Sequence, residues 1–177
     1  MLLNSIDRLG VEHMTSPIVD KSLSHMAWAN QQMLNVLVEL PDEAINFSAW
    51  NPEWTVGKIV WHIADSQGRI SSRITGQPAP EELAEVTTAR AISDLLSVFK
   101  ERDAHILSLA TVPDETHSFI QNGKEVEFVT STFIVQSVHH ATEHRAQIAD
   151  ILAANKMDAL NLDNLSPWRF EKWQRTQ

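Results

Sequence analysis

Residues 139–152 read HHATEHRAQIADIL, with three histidines inside six positions. The surrounding segment carries a helical alternation of apolar residues, and its reading decides both the fold and the chemistry. An α-helix turns 100° and rises about 1.5 Å per residue. His140 and His144 are therefore ~40° apart around the axis and ~6 Å apart along it. Two imidazoles so placed can converge on one cation. His139 and His144 differ by ~140°, so they cannot share an ion without distortion. The pair is His140 and His144.

Two ligands hold an ion weakly, so a third must come from another helix. His62, in KIVWHIADSQGRI, adjoins the apolar stripe through Ile59 and Ile63 and is the best placed. His25 lies off the stripe of its helix, and His105 sits on a polar flank beside Glu101 and Arg102. His13 and His117 fall in expected loops. Spacing alone also fits a polar helix face for the pair and a hydrogen-bonded core histidine at position 62. Three histidines would leave coordination positions open for water or substrate, the pattern of catalytic rather than structural sites.

Four long segments have helical periodicity, roughly Val19–Leu40, Thr55 to just before TGQPAP (residues 75–80), Thr88–Ala110 and Thr132–Asn155. The first carries the stripe Val19, Leu23, Met26, Asn30, Met33, Leu34 and Leu37 and is stopped by Pro41. Thr55 is the expected N-cap of the second, which Gly76 and two prolines end. Ile92, Leu95, Leu96, Phe99, Ile106 and Leu109 face inward from the third, which Pro113 closes. Between the last two, Asn122-Gly123 is the preferred pair of a type I′ hairpin turn, with Phe119, Ile120, Val126 and Phe128 on its strands. The expected architecture is all-α: one domain over residues 1–177, a four-helix bundle with a crossover connection and a small β-hairpin between helices three and four. The tail NLDNLSPWRFEKWQ is too apolar for a free end and should pack on the bundle or on a second copy.

Composition narrows the partners. The chain has 177 residues, 43% of them apolar and 21% charged, as in ordinary globular proteins. Its formal net charge of −9, with no concentrated basic run, disfavours nucleic acid. The absence of cysteine removes disulfides, thiolate nucleophiles and Cys-ligated metal. No apolar run approaches the ~20 residues of a membrane span, and the first residues lack a signal-peptide core. No membrane association and a cytoplasmic location are expected.

The motifs together go further. HATEHRAQI resembles the His-x-x-x-His-Arg-Gly-Gln motif on the last helix of the DinB/YfiT-like metalloenzyme family. EWTVGKIVWHIADSQGRI is similar to that family's second-helix segment with its single histidine, and MAWANQQML to its first-helix Trp-Ala-Asn segment. The resemblance spans nearly the whole chain. It implies a four-helix bundle, often dimeric, in which His62, His140 and His144 hold a divalent transition metal, with zinc or nickel expected first and iron next. It also implies a small-molecule substrate and hydrolase or transferase chemistry, the latter with a low-molecular-weight thiol. Since the chain has no cysteine, that thiol must arrive as a small molecule. Ala146 departs from the motif, where glycine is usual, and its added methyl bears on helix packing rather than on the ligands. His139 has no ligand role in the pattern and is expected at the surface or behind the ligands.

Weaker candidates surround the set. Asn30, on the apolar stripe, could orient a ligand histidine or a bound water, or tie its helix to a neighbouring backbone. Glu143 could serve as a partner of His144 or as a general base, although Glu143 and Arg145 both read more simply as solvent-exposed charges. Arg69 and Arg73 share a helix face with His62 and could bind an anionic substrate. Trp61, with Trp28 and Trp54, reads as core or pocket wall. The alternative to an enzyme is a non-catalytic metal-binding or dimerisation module.

Overall fold

The computed structural model describes residues 5–6, 12–13 and 15–177. Among these the protein is mostly helical. Its elements are β1 (Ser5–Ile6), β2 (Glu12–His13), α1 (Pro17–Leu37), α2 (Asp42–Ile45), α3 (Val56–Thr75), α4 (Ala89–Leu109), β3 (Thr116–Gln121), β4 (Lys124–Val129), α5 (Thr130–Ala154) and α6 (Pro167–Gln174). A 3₁₀ turn at Leu162–Leu165 precedes α6.

Each long helix begins where a cap can satisfy its free N–H groups. The Thr55 and Thr88 side chains accept from Lys58 N at 3.1 Å and Ala91 N at 3.1 Å. α1 starts two residues earlier than the apolar stripe indicates, because Ser16 caps it and Pro17 occupies its first turn. It ends at Leu37 rather than Leu40. Val38 N still bonds to Leu34 O, and residues 39–40 wind down through bonds three residues back, as the extended preference of a residue before proline requires. α5 starts at Thr130 rather than Thr132 without a local cap; Asp114, from the preceding loop, accepts from Ser131 N at 2.7 Å. The four-residue α2, not expected from the sequence, buries Ala44 and Ile45.

α1 packs against α4 and α5, and α3 packs against the same two helices from the other side. Met26, Met33, Leu34, Ile59, Ile63, Phe99, Ile106 and Ile148 are fully buried between them. The loop from α3 to α4 crosses α3 so closely that a Cβ at Gly57 would sit inside the carbonyl of Val86. β3 and β4 pair antiparallel about Asn122 (φ 52°) and Gly123 (φ 74°), the positive angles a type I′ turn needs. His117 lies on β3, not in a loop, with its Nε2 2.8 Å from Thr130 Oγ1. His13 likewise lies on a short strand.

The tail folds back on α1. Phe170 is buried with its ring 5.5 Å from Trp28 and 5.8 Å from His25, whose Nε2 lies 2.7 Å from the Leu165 carbonyl. Trp168 stays 80% exposed. Among the described residues no helix is long and apolar enough to cross a membrane.

Candidate metal centre

His62 stands on α3, and His140 and His144 stand one turn apart on α5, the helix packed against it. Their Nε2 atoms converge: His62 to His140 is 3.0 Å and His140 to His144 is 3.1 Å. Among the described residues these three form a group that could hold a metal ion, with no carboxylate in the set. Imidazole nitrogens ~2.0–2.1 Å from one ion would be about 2.9 Å apart in octahedral and about 3.4 Å apart in tetrahedral geometry. These two separations fall within that range and all three ligand atoms lie within 4.8 Å of one another, so the residues present could hold an ion.

The electrostatics agree. Burial first, then the His144 and His62 rings, push His140 down to about 4. Burial, followed by His144, also lowers His62. Both imidazoles are therefore neutral near pH 7 and keep a lone pair for an ion.

His144 is oriented from behind. Its Nδ1 lies 2.7 Å from Gln147 Oε1, and the indole Nε1 of Trp54 donates to the same oxygen at 3.3 Å. An indole N–H can only donate, so the amide presents its oxygen there. His144 Nδ1 must then carry the hydrogen, which leaves Nε2 free toward the other two histidines. The Trp54 ring also walls the site, 5.2 Å from His62 and 5.8 Å from His144. Gln147 shows in the sequence only as the third residue after His144; nothing there pairs it with Trp54.

The other sequence candidates separate. Asn30 makes its hydrogen bonds away from the three histidines. It donates to Asp103 Oδ2 at 2.9 Å and accepts from Arg145 Nη1 at 2.6 Å, so it ties helices together through side chains, not through a backbone. Arg145 is buried rather than solvent-exposed, and its second nitrogen donates to Thr142 Oγ1 at 3.0 Å. Glu143 and His139 are exposed. Trp61 faces away, its Nε1 donating to the Leu83 carbonyl at 3.0 Å with Lys58 3.8 Å above its ring. A 100° step along α3 from His62 carries it off that face.

Arg69 and Arg73 do stand on the His62 face. They line a cavity of about 450 Å³ together with His62, His140, Phe119, Phe128 and Phe133. That volume lies within the ~300–1,000 Å³ usual for small-molecule sites.

Comparison with known proteins supplies the family. The model of the DinB family matches residues 13–154, a span that includes all three histidines. An uncharacterized protein of Bacillus subtilis, YrdA, is 27% identical over 135 residues, covering 75% of this chain and 78% of that protein. The crystal structure of a DinB-like protein from Bacillus cereus superposes with a TM-score of 0.65 at 21% identity, over 84% of this chain and 98% of that one. At that identity the likeness speaks for the fold.

Proposed function

We propose that this chain, which belongs to the DinB family, is a metal-dependent enzyme acting on a small molecule through His62, His140 and His144. The long helices are read as one four-helix bundle in a single domain. One observation carries the proposal: three imidazoles converge, two of them, His62 and His140, lining a cavity, with no carboxylate among the described residues completing their set. A structural site would close its fourth position with protein, whereas a catalytic one leaves it for substrate.

Imidazole nitrogen suits zinc and nickel, and also iron. A divalent ion there supplies a Lewis acid that lowers the pKa of a bound water toward neutrality or activates a bound thiolate. The chain's own residues do the rest. Gln147, held by Trp54, keeps the His144 lone pair aimed inward. Phe119, Phe128 and Phe133 give the cavity an apolar wall, with ring centroids 5.9–6.0 Å apart. The reaction classes this supports are hydrolysis and S-transfer with a low-molecular-weight thiol. Metal analysis of the purified protein beside His144→Ala tests the reading, and equal, negligible metal in both would contradict it.

A further inference from the structure

The cavity is polar in an ordered way along α3. Arg69 and Arg73 stand seven and eleven residues beyond His62, so they lie within ~20° of its face and ~10 and ~16 Å along the axis. Asp65 occupies the nearer arginine, with Oδ2 2.5 Å from Arg69 Nε. Among the described residues no carboxylate pairs with Arg73, whose guanidinium lies over the Phe119 ring at 4.3 Å. The charged residues of the wall are thus one carboxylate against two guanidiniums, in a chain whose net charge is −9. A local reversal of sign inside a walled cleft selects for anions. Beside Arg73, the three clustered phenylalanine rings offer the cavity an apolar surface.

We propose that the substrate of this site is a small carboxylate with an apolar body, its carboxylate on Arg73, its body against Phe119, Phe128 and Phe133, and its reacting end at the histidines. This rests on the metal-enzyme reading and names its substrate class. A guanidinium fork matches a carboxylate with two parallel N–H donors. A phosphate ester would call for further cations, and no lysine lines the cavity.

Calorimetric titration with 4-phenylbutyrate and with its neutral analogue 4-phenyl-1-butanol tests the proposal on the protein as purified, with metal content measured on the same samples. The acid is expected to bind at least roughly tenfold more tightly than the alcohol, as expected of a charge-assisted pair. Arg73→Gln should remove that advantage while leaving the alcohol's affinity and the metal content unchanged, and Arg73→Lys should keep part of it. An advantage that survives Arg73→Gln would put the carboxylate elsewhere, on the ion for instance, and overturn the proposal. Parallel loss of acid and alcohol would reduce Arg73 to a support for Phe119 and overturn it too, as would no binding of the acid at millimolar concentration. Absence of metal in the wild-type protein would sink the metal reading separately, since the part of the acid's advantage that Arg73→Gln removes does not depend on it.

Discussion

A single side-chain amide decides which nitrogen of His144 is free. The Gln147 oxygen collects the Trp54 indole hydrogen and the His144 Nδ1 hydrogen together, so it fixes the tautomer as well as the ring plane. Gln147→Leu removes that acceptor and should weaken metal affinity by roughly 10- to 100-fold. Gln147→Glu keeps an acceptor and should retain most of it. Competition against a chromophoric chelator measures both, and unchanged affinity in the leucine variant would refute the role. The three histidines were readable because their spacing is a property of one helix and of one apolar stripe. The roles of Asn30 and Arg145 were not, because each depends on a partner far along the chain. A charge flanking His144 looks solvent-exposed until Asn30, 115 positions away in sequence, is seen to accept from it.

The hairpin is the element that turns a helix surface into a cavity. Its strands bring Phe119 and Phe128 over α3 and against Phe133 of α5, and Arg73 links α3 to it through the Phe119 ring. Gly123 holds φ at 74°, where a β-branched side chain is strained by an amount on the order of 1–2 kcal/mol. Gly123→Val should therefore speed amide hydrogen exchange across Thr116–Val129 while leaving α1 and α4 protected, since the main core lies between the helices. Exchange unchanged in the hairpin, or raised evenly through the chain, would contradict this. The Asn122-Gly123 pair made the turn legible because its conformation is local. The start of α5 was not, because its cap, Asp114, comes from outside the helix. α2 is too short for any period to show.

Across the whole molecule one buried polar network joins the four long helices. Asn30 of α1, Gln67 of α3, Asp103 of α4 and Arg145 of α5 meet in it, with Asp103 accepting from Asn30 at 2.9 Å and from Gln67 at 3.2 Å. Burial outweighs the Asn30 and Gln67 hydrogen bonds and the Arg145 charge, and Asp103 is pushed up to about 6. Burial likewise brings Arg145 down to about 10, with Asp103 opposing. The folded state thus holds the Asp103 proton more tightly than the unfolded state. Its stabilisation is complete below about pH 4 and is lost as pH rises through about 6, a swing on the order of 3 kcal/mol. Asp103→Asn removes that titration. Denaturant titrations should show the variant gaining on the wild type by about that amount between pH 4 and 7, whatever the constant offset. A pH-independent difference would contradict it. The number and order of long helices were visible in the sequence because each carries its own apolar stripe. The network was not, since its four members share no period.

Whether the three histidines hold one ion is the central question for this protein. Metal content, measured after equilibration with zinc or nickel and removal of free ion, tests this on the wild type and on His62→Ala, His140→Ala and His144→Ala. The wild type should retain about one ion per chain, and each variant, with helical circular dichroism intact, should retain almost none. A wild type that binds no ion, or variants that keep as much as it does, would contradict it.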